Sequence, residues 1–576
     1  MSPDTAHPPA VALEALLRGL DTGDGPFAPA RVAKLDREEA FPDAACQALE
    51  SFGLGAHYVP TRHGGRLEHY PELVALWRTV ARRDLTAAIG HGKTFLGGAC
   101  TWVGGTQEQA VALGEDVARG ARVSWGLTER HHGSDLLAGE LSATRTADGW
   151  RINGEKWLIN NATRGHLMSV LARTEPTGGP RGFSVFLVDK RQLPAGAFRC
   201  LPKERTHGIR GADISGIVFT DADVPATALV GKPGGGIELV LKALQLTRTV
   251  AVAMSLGAAD HALRLTVDFA KAHQLYERRL VDLPRARRPL GEAATQLLLA
   301  EAVSTVGSRA LHALTPEASL TSALTKAFVP TAINDMISQL ADLMGARSFL
   351  TDVYAHGMFQ KVERDHRIIA IFDGSTLVNR NAVINQFPVL VRAFRQERRD
   401  AEGLATATTL SAPLPEADLS RLGLVSTAGC SVVQGLPAAV VRLQALVESG
   451  ALPKGVAYLA RALARATDAV HQRMAAQPPA PRDVPPEAFH LAEHYEACFA
   501  GAACVHLWLN HANRAPEGPL WRDALWLEAC LVRVLSRLSP EDPPGDTGVF
   551  DRLADVVVDT TGVFSLLADA RTEGAS

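Results

Sequence analysis

Two short segments of this 576-residue chain hold residues whose types and spacing could do chemistry. In the first, Leu127–Asp135, the hydroxyl side chains of Thr128 and Ser134 flank a glycine turn at Gly133. Hydroxyls and exposed backbone N–H groups at a tight turn can hydrogen-bond a flat polar ring and a nearby phosphate. Taken alone, this segment could equally be a polar hairpin loop.

The second segment is Phe372-Asp373-Gly374-Ser375, in which an aspartate directly precedes a glycine. An ordinary aspartate, with a pKa of about 3.9, is a weak base for a proton on carbon unless a dry pocket raises that pKa. Asp373 is therefore a candidate general base. Because Asp-Gly is also a frequent turn pair, a turn without chemistry stays open.

Other motifs are excluded by their context. Gly92-Lys93-Thr94 ends like a phosphate-binding loop, but the required first glycine would fall at Ala87, inside a helical pattern. No GxGxxG follows a strand, so the dinucleotide fingerprint is missing. His131-His132 has no further ligands at a recognisable spacing, and the seven cysteines form no CxxC pair. We expect no metal site and a reduced, cytoplasmic compartment.

The charge balance and apolar content of the chain limit the classes of partner that it can bind. The 59 Lys and Arg residues nearly balance the 62 Asp and Glu residues, so no large basic field is available for a nucleic acid. The N-terminus lacks the pattern of a secretory signal, and no stretch approaches the roughly 18 apolar residues of a membrane span. We expect neither nucleic acid nor membrane as a partner.

The predicted secondary structure changes along the chain. Apolar residues recur at helical spacing from about residue 30 to 115 and again from 236 to 393. Between them lie short β-rich runs at 121–129, 150–160, 166–174, 182–190 and 215–224. A polar stretch at 395–420 is typical of a linker or a loosely packed connection. More helical patterns follow, interrupted by a proline cluster at 475–487. We predict domains at 1–120, 121–235, 236–394 and 395–576.

The ordered set of motifs resembles the FAD-dependent acyl-CoA dehydrogenase superfamily over roughly residues 30 to 393. The matching residues are Thr128, Glu129, Gly133, Ser134, Asp135, Asn153, Gly154, Lys156, Asn161, Ala162, Val218 to Asp221, Val224, Pro225, Gly231, Gly234 to Gly236, Arg248, Arg364, Asp365 and Phe372 to Ser375. The resemblance implies a mainly α fold with a middle β domain. Its parts would be an N-terminal helical domain, a β-barrel or sandwich domain and a C-terminal four-helix bundle, with an additional C-terminal helical bundle.

The resemblance also implies FAD as the cofactor and assigns residues to it. The isoalloxazine ring is expected against Trp125, Leu127, Thr128, Leu158 and Asn160, with Ser134 near the pyrophosphate. Leu158 stands where the family has a flavin-packing tryptophan. His273 stands where the family has an arginine that reaches FAD across a dimer. The other expected FAD contacts are Gly133, Tyr276, Asp342, Gly345 and Ser375.

In the family a carboxylate removes the α-proton of an acyl thioester while the β-hydride passes to the flavin. The resemblance assigns this base to Asp373, where the family usually has glutamate, and the alternative family position holds Thr247. Aspartate reaches about 1.5 Å less far than glutamate, which matters for the geometry of proton transfer. Family hydrogen bonds to the thioester come from the backbone N–H of the base and a ribityl hydroxyl. The expected substrate contacts are Ser134, Gln245, Arg248, Phe372 and Gly374.

These implications predict an enzyme that oxidises the Cα–Cβ bond of an acyl thioester bound to CoA or a carrier protein. Electron-transfer flavoprotein or O2 would accept the electrons, and a homodimer or homotetramer is expected. Nitroalkane oxidases of this fold carry aspartate at the base position, so a flavin oxidase of that type, or of the acyl-CoA oxidase type, is an alternative. A flavin monooxygenase and a flavin-binding protein without turnover are the others. The extra C-terminal helices are predicted to be either a substrate-channel or partner domain, or a packing layer that completes the dimer.

Overall fold

The computed structural model describes residues 8–478, 480, 483–511, 518–539 and 547–567. These residues form two compact units, one spanning Leu13–Thr247 and the other beginning at Arg248 and taking in residues 8–12. Helices dominate both ends of the chain, and a β-sheet lies in the middle. The predicted fold class, with additional C-terminal helices, is confirmed.

The first unit begins with helices. Their bounds are α1 (Pro8–Leu20), α2 (Pro29–Arg37), α3 (Asp43–Phe52), α4 (Tyr70–Ala81), α5 (Leu85–Gly104) and α6 (Gln107–Ala118). Asp84 caps α5 by accepting the N–H groups of Thr86 and Ala87, and Thr106 and Gln109 form a capping box that starts α6. Helix α5 is buried along most of its length because it packs against the sheet.

The strands of the middle domain are β1 (Val123–Gly126), β2 (Ser142–Arg145), β3 (Gly149–Asn160), β4 (Leu167–Arg173), β5 (Phe183–Asp189), β6 (Phe198–Leu201), β7 (Ile214–Pro225) and β8 (Leu229–Val230). Their order in the sheet is β6-β7-β3-β2-β4-β5-β8, and β1 pairs with β4 in parallel. All five β-rich runs are strands, whereas the short strands β2, β6 and β8 were not expected. Ile152, Phe186 and Ile217 lie in the core of this sheet.

The second unit begins within a helix and contains the four-helix domain. Its helices are α7 (Gly236–Ala251), α8 (Ala253–Ala272), α9 (Pro284–Ala313), α10 (Ala318–Met344), α11 (Ala346–Phe349), α12 (Met358–His366), α13 (Thr376–Ile384) and α14 (Phe387–Arg395). A small hairpin of β9 (Gln274–Leu275) and β10 (Arg278–Arg279) joins α8 to α9. Helix α10, long and mostly buried, packs against both α12 and α13, and Asp373 lies in the connection between those two helices.

The C-terminal extension is helical. Its helices are α15 (Ala401–Thr408), α16 (Ser431–Gln434), α17 (Leu436–Glu448), α18 (Lys454–Ala476), α19 (Pro486–His511), α20 (Leu525–Leu538) and α21 (Val549–Asp559). The proline cluster falls between α18 and α19, where the sequence predicted an interruption.

The prediction of a linker at residues 395–420 was wrong for its middle part, because α15 is an ordered helix with buried residues. The guanidinium of Arg309, buried on α9, donates hydrogen bonds to the carbonyl oxygens of Thr406 at 2.8 Å, Thr409 at 2.7 Å and Ala412 at 2.9 Å. A single buried cation thereby satisfies the orphan carbonyl groups at the end of α15. The composition of a polar segment does not reveal such a distant partner.

Among the described residues, one helical stretch, Gly236–Ala272, is long and apolar enough to cross a membrane by length and composition, contrary to the expectation from the sequence. Within its most apolar window, 89% of the residues are buried inside the protein. Buried core helices commonly pass this test, so the stretch is weak support for a membrane span.

Candidate functional site

The first candidate segment is fixed by a buried ion pair. The Lys156 ammonium on β3 lies 2.7 Å from the Glu129 carboxylate and also donates to the carbonyl of Leu127 at 3.1 Å. Burial raises the pKa of Glu129, but the Lys156 charge and the N–H groups of Glu140 and Leu141 outweigh burial and hold that pKa below its usual value. The ion pair therefore anchors the loop around Thr128.

Leu158 lies on a bulge of the neighbouring strand. The pairing of β3 with β7 shifts register between Trp157 and Ile159, and Leu158 has a positive φ of 57°. Its side chain is 42% exposed, although leucine is usually buried. A β-bulge re-aims a side chain out of the ladder. The structure thus presents an apolar side chain where the resemblance expects one face of the flavin.

Polar groups without partners surround the same loop. The Asn160 side chain donates to the carbonyl of Ile89 at 3.1 Å, but its Oδ1 is buried without a hydrogen-bond partner among the described residues. Across the same described ranges, the hydroxyls of Thr128 and Ser134 make no hydrogen bond. A side chain added at Gly133 would meet nothing within 4 Å. Open space, an apolar face and spare polar atoms fit a flat, polar cofactor such as FAD.

Trp125 on β1 is placed differently from Thr128 and Ser134. It is buried, and the Lys93 ammonium lies 5.8 Å from the centre of its ring. Leu127 and Thr128 are half-buried, and Gly133 and Ser134 are exposed. All seven of the predicted middle-domain cofactor residues lie on β1, on β3 or in the loop that follows β1.

The second candidate segment is a loop whose backbone is held by three side chains. Arg248 Nε donates to the carbonyl of Asp373 at 2.8 Å, and Asn379 Nδ2 donates to the carbonyls of Gly374 at 2.9 Å and Ser375 at 3.0 Å. Lys326 Nζ donates to the carbonyl of Phe372 at 2.8 Å. This loop is therefore rigid before any ligand binds.

Backbone geometry explains the Asp-Gly pair. Asp373 has a φ of 56° and Gly374 a φ of 92°, both in the left-handed region that aspartate tolerates better than most residues and glycine adopts freely. A Cβ atom at Gly374 would lie 2.8 Å from Nη2 of Arg248. Gly374 is thus needed for both its conformation and the close approach of Arg248.

The carboxylate of Asp373 has an oxygen atom that is available to a ligand. Its Oδ2 atom is buried and has no hydrogen-bond partner among the described residues. The backbone N–H of Asp373 likewise donates to no residue in the described ranges. A buried polar group normally has a partner, so the unpaired Oδ2 indicates a ligand-binding position, and the backbone N–H of the same residue is a second donor beside it.

Two buried cations flank this loop. Burial lowers the pKa of Arg248 to about 10 and that of Lys326 to about 7, while attraction to the Asp373 carboxylate opposes both shifts. Thr247, at the alternative position for the base, is buried and its hydroxyl donates to the carbonyl of Leu244 at 3.4 Å. Asp373 is thus the carboxylate that the candidate segment offers.

The remaining predicted residues lie elsewhere in the fold. Ser375 caps α13 by accepting the N–H of Val378 at 3.3 Å, and Gln245 is buried on α7. His273 ends α8, stacked on Phe269, and Tyr276 is 90% exposed at the tip of the β9–β10 hairpin. Asp342 lies near the C-terminal end of α10, about 24 Å along the helix from Lys326, and Gly345 directly follows the helix. The structure does not bring these last four residues to Asp373.

Family models match this architecture. Residues 124–222 match the acyl-CoA dehydrogenase middle domain, and residues 234–387 match the acyl-CoA dehydrogenase C-terminal domain. This chain is an acyl-CoA dehydrogenase-like enzyme. The family resemblance of the sequence is confirmed, and the prediction of FAD as cofactor agrees with it.

Individual relatives of the acyl-CoA dehydrogenase family support this assignment. The chain is 27% identical over 349 residues to a probable acyl-CoA dehydrogenase of Mycobacterium tuberculosis, covering 60% of this chain and 88% of the relative. It is 25% identical over 367 residues to the human mitochondrial short-chain specific acyl-CoA dehydrogenase, covering 63% of this chain and 86% of the relative. An acyl-CoA dehydrogenase structure from Bacillus anthracis, complexed with FAD, aligns with a TM-score of 0.69 at 17% identity. That alignment covers 96% of this chain and 94% of the other, so the fold likeness includes the C-terminal helices.

Sequence reasoning missed one ion pair and two residues that organise the two candidate segments. It noted Glu129 and Lys156 as motif matches without recognising that they form an ion pair 27 residues apart. It did not single out Lys326 or Asn379, which bind the Asp373 loop. No local spacing marks Lys326, whereas Asn379 stands one helical turn after the cap Ser375 and could have been suspected.

Proposed function

We propose that this enzyme oxidises the Cα–Cβ bond of an acyl thioester, carried by CoA or a carrier protein, with Asp373 as the base that removes the α-proton. The observation that carries the proposal is the buried Oδ2 of Asp373 without a described partner, on a loop whose backbone is already fixed. FAD, held by the residues of β1, β3 and the Thr128 loop, would supply the acceptor for the hydride that leaves the β-carbon.

A single residue can do two tasks here. The unpaired Oδ2 of Asp373 takes the α-proton, and the unpaired backbone N–H of the same residue donates to the thioester carbonyl oxygen. A hydrogen bond to that oxygen stabilises the negative charge that develops as the proton leaves. Because Arg248 and Asn379 already hold the loop, little reorganisation accompanies the step.

Aspartate at this position also restricts the substrate. Its carboxylate extends about 1.5 Å less than that of glutamate, so the α-carbon must lie closer to the backbone of residue 373. We therefore propose that the thioester of the substrate lies closer to the backbone of residue 373 than the thioester of a linear fatty acyl group does in an enzyme with glutamate at this position. Electron-transfer flavoprotein is the proposed electron acceptor. The cytoplasmic location and the homodimer or homotetramer stay predictions.

The decisive experiment is an anaerobic titration of the flavin absorbance with a panel of CoA-linked and carrier-protein-linked acyl thioesters. We expect at least one thioester to bleach the flavin of the purified enzyme. Asp373→Asn should retain FAD but reduce the flavin about 10²-fold to 10⁴-fold more slowly, as is usual when a general base is removed. Undiminished reduction by this variant would place the base elsewhere.

The same preparation separates the alternatives. Reoxidation by electron-transfer flavoprotein without peroxide supports a dehydrogenase, whereas peroxide formation in air supports an oxidase. Bleaching by nitroalkanes but by no thioester would favour the nitroalkane-oxidase alternative, for which Asp373 is the motivating observation. Oxygen incorporation into product would indicate a monooxygenase. Bound FAD that no thioester reduces would indicate a flavin-binding protein without turnover.

A further inference from the structure

Lys326 is a fully buried lysine on α10 whose ammonium lies against the backbone of the Asp373 loop. It donates to the carbonyl of Ile369 at 2.6 Å and to that of Phe372 at 2.8 Å, with a longer contact of 3.4 Å to the carbonyl of Gly374. Three N–H donors therefore meet carbonyl oxygens on both sides of Asp373. Only a charged ammonium has three donors to give.

The surroundings of Lys326 differ from those of two other buried lysines. Lys156 pairs with Glu129 at 2.7 Å, and Lys361 pairs with Asp365 at 2.6 Å. Lys326 has backbone carbonyls as its direct partners, and the Asp373 carboxylate is the acidic group that attracts it. Burying a cation is costly, and an apolar side chain of similar volume would usually be as stable or more stable. We therefore expect Lys326 to have a role other than stabilising the fold.

We propose that Lys326 is a positioning residue for Asp373: its ammonium holds the carbonyls on both sides of the aspartate and stabilises the ionised carboxylate that takes the α-proton. This inference rests on the proposed function of Asp373 as the base. It adds to that function the group that orients the base and places a positive charge near it.

The charged groups around the loop in the described part of its unit are few. Arg248 faces it from α7 and binds the carbonyl of Asp373. His366 on α12 bonds to Ser255 and Asn334, and burial lowers its pKa to about 3, so it is neutral at ordinary pH. On α13, Arg380 binds Glu496 at 2.8 Å instead of the loop. Arg248 and, below its pKa of about 7, Lys326 are therefore positive charges close to Asp373.

Removing the charge of Lys326 should raise the pH at which Asp373 becomes a base. An opposite charge nearby favours the carboxylate, so its loss makes ionisation harder and moves the titration to higher pH. A residue that only supports the fold would change stability and FAD content without moving this titration. The pH profile of proton abstraction thus distinguishes a positioning role from a structural one.

The test uses the FAD-loaded full chain and a 3-thia acyl-CoA of the length that best bleaches the wild-type flavin. Such an analogue can lose its α-proton but has no β-hydride, because sulfur replaces the β-carbon. Deuterium incorporation from solvent at the α-carbon, followed by mass spectrometry across pH, reports the base alone. We expect the midpoint of the profile to move up by about one pH unit or more in Lys326→Met and Lys326→Gln.

Lys361→Met is the matched control, because it also removes a buried lysine charge from the same unit but at α12. It should lower the melting temperature and leave the midpoint unchanged. A folded, FAD-bearing Lys326→Met or Lys326→Gln enzyme with the wild-type midpoint would overturn the proposal. If neither variant folds, Lys326 is a structural residue and the proposal is also overturned. Exchange that persists in Asp373→Asn would instead refute the base role of Asp373.

Discussion

Asp373 is held in place by its backbone and leaves its carboxylate available. Arg248 and Asn379 bind the carbonyls of residues 373 to 375. Lys326 binds the carbonyls of the two residues next to Asp373, Phe372 and Gly374. Fixing a catalytic group through its main chain keeps the lone pairs of the side chain available for the reaction. It also means that substitutions of the side chain can alter chemistry without dismantling the loop.

Asp373→Glu tests how closely the proposed base is matched to its substrate. The added methylene moves the carboxylate by about 1.5 Å, and a misplacement of that size can cost about 100-fold in rate. We expect a reduction of this order in the rate of anaerobic flavin reduction by the best wild-type substrate, with unchanged FAD content. Asp468→Glu, at an exposed position of α18, should behave like the wild type. Faster reduction by Asp373→Glu would refute the proposed fit of aspartate to the substrate.

Among the elements, α9 is the helix on which the second unit is assembled. It is buried over most of its 30 residues, and the extension helix α21 packs directly on it. At the point of closest approach, a Cβ atom built on Gly291 would lie 1.8 Å from the carbonyl oxygen of Phe550. Contact at this distance leaves no room for a methyl group, so the two helices touch through backbone atoms.

Gly291→Ala should therefore destabilise the protein. Alanine is the better helix former, yet overpacking against a backbone atom costs typically about 1 to 3 kcal/mol. We expect the free energy of unfolding in urea to fall by at least about 2 kcal/mol. Gly455→Ala on α18, where a Cβ meets nothing within 4 Å, should be neutral or stabilising by up to about 1 kcal/mol. Equal stabilities for the two variants would contradict the close approach of α9 and α21.

For the whole molecule, the extension is joined to the four-helix domain through buried polar contacts. Arg380 on α13 pairs with Glu493 and, at 2.8 Å, with Glu496 of α19. Glu317, before α10, accepts the N–H of Ser431 at 2.8 Å and its hydroxyl at 2.5 Å. These contacts make the extension an integral part of the second unit.

Glu317 should make stability depend on pH. Burial raises its pKa from 4.5 to about 7 despite the two hydrogen bonds from Ser431. Between these values the unfolded chain has released the proton and the folded chain still holds it, so stability falls as pH rises. We expect the free energy of unfolding to lose on the order of 3 kcal/mol between pH 5 and pH 8 from this group.

Urea unfolding of Glu317→Gln at both pH values measures this contribution by difference. The variant should lose less stability than the wild type over the interval, because glutamine does not titrate. Glu448→Gln, at an exposed position of α17, should keep the full wild-type difference. An identical pH dependence in Glu317→Gln and the wild type would show that the buried carboxyl does not couple to folding.

The sequence by itself determined the order of helical and β segments, five of the eight strands of the large sheet and the two candidate segments around Thr128 and Asp373. Periodicity and turn residues are local, so they can be seen without knowing the fold. Gly374 could be predicted as a turn residue for the same reason. The motif set was specific enough to identify the family and its cofactor.

Only the tertiary structure decided how those segments are held. Lys326 lies 46 residues before Phe372, and Lys156 lies 27 residues after Glu129, so nothing in the local sequence pairs them. The same holds for Arg309, whose partners lie about 100 residues away and turn a polar stretch into a packed helix. Burial makes each of these cations costly unless a specific acceptor is within reach, and packing alone determines which acceptor that is.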